Sequence, residues 1–150
     1  MKTIAALIVG STLLASLPAW SQVTVDQPWV RATVAAQKVT GAFMTLTADR
    51  DSRLVAVSSP VAGAVEIHEM KMAGDMMRMR QVSALELPAG KPVALTSGGY
   101  HLMLFQLRQQ LKDGDKVPLV LEVENAARVR SNVKVEAIVR PLAAAAHADH

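Results

Sequence analysis

The sequence predicts an all-β domain, a sandwich or barrel of many short strands, and three observations carry that expectation. Stretches rich in Val, Leu, Ile and Thr with alternating polarity recur along the chain. Turn-forming residues punctuate them at short intervals, in Pro60 and Gly63, Ala73-Gly74-Asp75, Pro88-Ala89-Gly90, Gly98-Gly99 and Asp113-Gly114-Asp115. No long amphipathic helical repeat follows residue 21. Strands broken this often pack face to face or close on themselves, because each has one apolar face to bury.

Residues 1–21 stand apart from that domain. Lys2 precedes an apolar run at 4–17, Pro18 then breaks the helix, and Ala19-Trp20-Ser21 offers small residues for cleavage, the arrangement of a secretory signal peptide. At 14 residues the run is short for a membrane span, which needs about 20. The expected product is soluble and exported with no membrane span in its mature form, and a bacterial periplasm is its natural destination.

Within the mature domain, 22–142, strands are expected at 23–25, 29–33, 42–47, 54–58, 65–72, 76–82, 92–95, 101–107, 117–123 and 129–139. Met44 reads as core, and a short helical turn is expected at 108–111. The strands at 65–72 and 76–82 are expected to form a hairpin through Ala73-Gly74-Asp75. Pairing symmetrically about Gly74 sets Met79 opposite Glu69, so that His68 and Met79 meet only if a bulge or irregular turn rotates one of them. The tail at 143–150, AAAAHADH, reads as a flexible low-complexity extension. Its His147 and His150 are either solvated or a second, weaker metal site, whose nitrogen and carboxylate donors (Asp149 included) suit Cu(II).

Composition excludes one class of partner. Removing Lys2 lowers the formal net charge from +3 to +2, the basic residues are scattered, and aromatics are 3%. Neither a phosphate-tracking stripe nor a base-stacking platform is present, so nucleic acid is not expected as a partner. The chain has no cysteine. In an oxidising compartment paired thiols become disulfides, whereas methionine and histidine persist as metal donors.

The chemistry concentrates between residues 65 and 105, where the only two histidines outside the tail lie and where five of the eight methionines fall within 70–79. Any single methionine is ordinarily core filler and any single histidine ordinarily structural, so the joint spacing is what singles out His68, Met79, His101 and Met103. Neutral thioether and imidazole donors without thiolate suit Cu(I), whereas Zn prefers thiolate, imidazole and carboxylate, and Mg or Ca take oxygen. The spacing H-x10-M-x21-H-x-M resembles the copper-binding signature of the periplasmic PCu(A)C copper chaperones. The surrounding VSSPVAGAVEIHEMKMAGDMMRMR at 57–80, LPAG at 87–90 and GGYHLMLF at 98–105 are similar to that family as well. Glu69 departs from it at a position where the family often has another methionine.

That resemblance spans about 25–142 and implies a cupredoxin-like, Greek-key β-sandwich or barrel binding one Cu(I), with the ligand set carried over to His68, Met79, His101 and Met103. It also implies delivery of copper to the copper-centre subunit of cytochrome c oxidase, a haem-copper oxidase, alongside Sco-type thioredoxin-like assembly proteins. Met70, Met72, Met76 and Met77 are turn filler or packing on one reading and a landing surface for copper transfer on another. Two other functions stay open, a periplasmic copper storage or resistance protein and a metal-free β-sandwich binding module. An enzyme is not expected. There is no G-x-S-x-G elbow or Gly-rich phosphate loop, and His68-Glu69-Met70-Lys71-Met72 stops short of H-E-x-x-H.

Overall fold

Val117, Leu119, Leu121 and Val123 lie on one face of a single strand and are fully buried, while the residues between them point outward. The computed structural model describes residues 22–141, and the same alternation organises ten strands. These are β1 (Val23–Arg31), β2 (Thr40–Ala48), β3 (Ser52–Ser58), β4 (Ala62–Ala73), β5 (Met76–Val82), β6 (Leu85–Leu87), β7 (Val93–Leu95), β8 (Tyr100–Leu107), β9 (Lys116–Asn125) and β10 (Arg130–Arg140). The signal-peptide reading at 1–21 and the tail at 143–150 lie outside the described residues.

The strands follow the order β5-β4-β8-β2-β1-β10-β9-β3-β6, and a β4 to β3 pairing at Val57 and Val65 closes the sheet into a barrel. Closure leaves few free strand edges, which removes much of the hazard of an open sheet. β1 runs parallel to β10 and the remaining pairings are antiparallel. Val30, Leu46, Leu54, Leu87, Leu102, Leu104, Leu111 and Val139 join the β9 row in the interior. Each such side chain stabilises the fold by about 1.5–3 kcal/mol through burial. Met44 belongs to this core, as expected.

The all-β expectation holds, with three differences in detail. The segments 23–25 and 29–33 are parts of one strand, interrupted by a register shift between Asp26 and Trp29 where Gln27 has φ 48°. Pro28 falls within that irregularity, where its missing N–H disrupts no ladder. β6 is too short to announce itself, yet Leu85 and Leu87 are buried and pair with β3. The helical turn expected at 108–111 does not form, because Thr33 holds that segment as a loop. The Thr33 N–H donates to the Leu111 carbonyl at 2.9 Å, and the Leu111 N–H donates to Thr33 Oγ1 at 2.9 Å. Among the described residues no helix is long and apolar enough to cross a membrane.

Burying Leu102 and Leu104 of β8, Ile67 of β4 and Ala42 of β2 has a direct consequence for their neighbours. His101, Met103 and Phe105, Glu66 and His68, and Gly41 and Phe43 all face away from the barrel interior on adjacent strands.

Candidate metal centre

Strand register brings the expected donors together on that outer face. In the β4–β8 pair, His68 stands directly opposite His101, and Glu66 opposite Met103. In the β4–β5 hairpin, His68 stands opposite Gln81 and Met70 opposite Met79. The symmetric pairing about Gly74 expected from sequence is therefore off by one residue. Ala73 pairs with Met76, which leaves Gly74 and Asp75 as a two-residue turn with its centre between them. Gly74 adopts φ 64°, the left-handed backbone that such hairpin turns require. Because side chains alternate with a period of two, this single step turns Met79 onto the same face as His68, and no bulge is needed.

His101 Nε2 lies 3.2 Å from the Met79 sulfur. Its other ring nitrogen, Nδ1, lies 3.2 Å from the Gly99 carbonyl, which can only accept, so Nδ1 carries the proton and Nε2 presents its lone pair to the thioether. Burial holds the His101 pKa below 6.5, partly offset by the Gly99 hydrogen bond and reinforced by the neighbouring His68 and by the Arg31 charge. The shift favours the neutral ring. Two lone-pair donors aimed at each other are a mutual mismatch that a cation between them relieves.

His68 has the complementary arrangement. Its Nε2 donates to Glu66 Oε2 at 2.7 Å, so that in the neutral ring Nδ1 is the lone-pair nitrogen, and that atom is buried with no hydrogen-bond partner. A carboxylate that fixes the tautomer and orientation of a metal-ligating imidazole is a recurrent outer-shell device. The two imidazole rings are 6.1 Å apart between centroids. Met103, two residues from His101 on β8, shares the face, and its position opposite Glu66 sets it next to His68. Among the described residues no three His, Cys, Asp or Glu side chains gather as a metal cage.

Although both histidines point away from the interior, His68 is 8% exposed and His101 4%. Aromatic rings cover them, with Phe105 5.8 Å from His68 and Phe43 6.4 Å from His101. Trp29 packs on Phe43 at 4.7 Å, and the Arg31 guanidinium lies 5.4 Å from the same ring. Gly41 contributes by its lack of a side chain, since a Cβ there would lie 2.9 Å from Phe43 Cζ. Met79 is 49% exposed and forms the open edge of the site. Sequence reasoning missed Glu66, the Gly99 carbonyl and the aromatic cover. The one available sign of Glu66 was its position two residues before His68 on a predicted strand.

A model of the LpqE-like family matches residues 23–135. The chain belongs to the LpqE-like family. A relative named "Putative lipoprotein Lxx21020" from Leifsonia xyli subsp. xyli is 30% identical over 83% of this chain and 81% of its own length. The uncharacterized protein RP573 of Rickettsia prowazekii is 30% identical over 79% of this chain and 69% of its own. Among solved structures, the Cu(I) form of DR1885 from Deinococcus radiodurans is 29% identical with a TM-score of 0.57, covering 85% of this LpqE-like chain and 81% of that one. The copper-bound PCuAC domain from PmoF2 superposes with a TM-score of 0.65 at 24% identity, over 79% of this chain and 92% of that domain. The resemblance to PCu(A)C proteins and the cupredoxin-like β-barrel expected from sequence are both borne out.

Proposed function

We propose that this protein is an exported copper carrier, not an enzyme, which binds one Cu(I) through His68, His101, Met79 and Met103 and passes it on by ligand exchange. The observation that carries the reading is the approach of His101 Nε2 to the Met79 sulfur at 3.2 Å with Nδ1 already committed to Gly99. His68 Nδ1, buried and unpartnered beside it, supplies the second imidazole lone pair. The copper-bound relatives support the choice of metal. Two thioethers favour the cuprous ion, and without a cysteine thiolate the site lacks the ligand of blue-copper electron transfer. Copper is cargo here.

The geometry suggests how cargo would leave. The histidines are enclosed and Met79 is open to solvent, so an acceptor side chain displaces the Met79 thioether first and draws the ion out before either imidazole lets go. The resemblance to PCu(A)C proteins points to the periplasm as the place and to the copper centres of cytochrome c oxidase, or a Sco-type assembly protein, as the acceptor. The lipoprotein description of a relative fits an extracytoplasmic location.

An anaerobic Cu(I) titration against a competing chelator tests the site. One equivalent should bind to the wild type, His101→Ala should abolish competitive binding, and Met79→Leu should weaken it less. Wild-type binding in both variants would overturn the assignment. Reconstitution of copper-free oxidase by the loaded protein tests delivery, and failure to restore the copper centre would leave storage as the function.

A further inference from the structure

We infer that the β4–β5 hairpin carries a second soft-metal site, built from Met72 and Met77 with Met70, which captures Cu(I) at the solvent-exposed tip and feeds the His68/His101 centre. The inference takes the identity of the ion from the function proposed above, but rests on its own observation. Register pairs Met70 with Met79 and Met72 with Met77, directly across the hairpin. By the period-two rule all four point to the face that carries His68, in two successive rungs leading from the tip toward the histidines. The intervening residues, Lys71, Arg78, Arg80 and Met76, point to the opposite face.

The hairpin arm thus carries thioethers on one face and its cationic side chains on the other. Met72 is 57% exposed and Met77 48%, so neither packs into the core. On the back face Arg80 is held by Glu69, at 3.1 Å, and keeps its charge away from the sulfurs. Cβ atoms directly opposite each other on an antiparallel pair are about 4.5–5.5 Å apart, and methionine has three rotatable bonds. Two or three thioethers can therefore close on one ion of low coordination number. A cross-strand thioether pair holds Cu(I) more weakly than imidazoles and thioethers together, so the ion moves down the ladder toward Met79 and His101. The register also divides the methionines, because Met76 pairs with Ala73 on the far face and is excluded from the track.

The test uses the full mature chain with 13C-methyl-labelled methionine and Ag(I), a diamagnetic soft ion, followed by Cu(I) loading from a chelator complex. In His101→Ala, which removes the main centre, the Met72 and Met77 methyl signals should still shift and saturate with Ag(I). In Met72→Leu/Met77→Leu, which conserves volume on an exposed arm, the Met79 and Met103 signals should respond as in the wild type while Cu(I) loading slows several-fold. Met76→Leu should load at the wild-type rate. Silent Met72 and Met77 methyls in His101→Ala, or unchanged loading in the double variant, would overturn the hairpin site. Silence of Met79 and Met103 in the wild type with a responding hairpin would instead sink the main centre and leave this one standing.

Discussion

His68 and His101 stand directly opposite each other on β4 and β8, 6.1 Å apart between ring centroids, each with one nitrogen committed and one left with a lone pair. Glu66 commits one ring and the Gly99 carbonyl the other. The commitments are made by the protein alone, so the imidazoles are oriented before any metal arrives.

Glu66 positions His68 through its 2.7 Å hydrogen bond. Glu66→Ala should weaken Cu(I) binding by about 10–100-fold, the usual range for an outer-shell partner. Glu66→Gln, whose amide oxygen still accepts from Nε2–H, should recover most of that loss. Equal effects of the two variants, measured by chelator competition, would show that Glu66 does not act through this bond.

Protons compete with copper for imidazole nitrogen, so Cu(I) affinity should decline on acidification. His101, whose pKa burial pushes below 6.5, keeps its lone pair to lower pH than a free imidazole would. In His68→Ala, where His101 is the remaining histidine of the centre, the pH at which affinity is halved should lie below 6.5. A half-loss at or above pH 6.5 would contradict the direction of that shift.

Away from the site, Glu124 is 5% exposed and is gripped by Arg53 at 2.7 Å and by Arg130 at 3.2 Å. The Arg53 hydrogen bond is the largest influence lowering its pKa from 4.5. A carboxyl depressed in the folded state contributes stability that is present above its unfolded pKa and lost as pH falls through the folded one. Denaturant melts of the metal-free protein should therefore show stability falling below about pH 4.5. In Glu124→Gln that acid limb should be shallower, and an unchanged limb would exclude the ion pair as its source.

Leu102 and Leu104 flank Met103 on β8 and are fully buried. Leu104→Ala should cost about 2–5 kcal/mol of folding stability by removing buried methyl groups and leaving a cavity. Below its lowered denaturation midpoint the variant should still bind one Cu(I), because the ligands lie on the other face of the strand. Loss of copper binding with full stability would show that the strand's two faces are not independent.

Much of this was legible from residue order. Alternating apolar residues in β9 and β10 announce strands whatever they pair with, and the spacing of His68, Met79, His101 and Met103 named the residues that the fold gathers on one face. β6 was not legible, since three residues give too little periodicity, and neither was the loop at Leu111, where contact with Thr33 overrides local preference.

By itself, then, the sequence determined the all-β class, the core-facing sides of the strands and which imidazole and thioether side chains are candidate donors, because periodicity and residue chemistry are local properties. Only the tertiary structure decided that Met79 shares a face with His68, that Glu66 and Gly99 fix the two imidazoles, and that Phe43 and Phe105 close over them. The reason is physical. A one-residue difference in hairpin pairing reverses every side chain on a strand, and that choice is made by backbone geometry at Gly74 and by hydrogen bonds across the sheet.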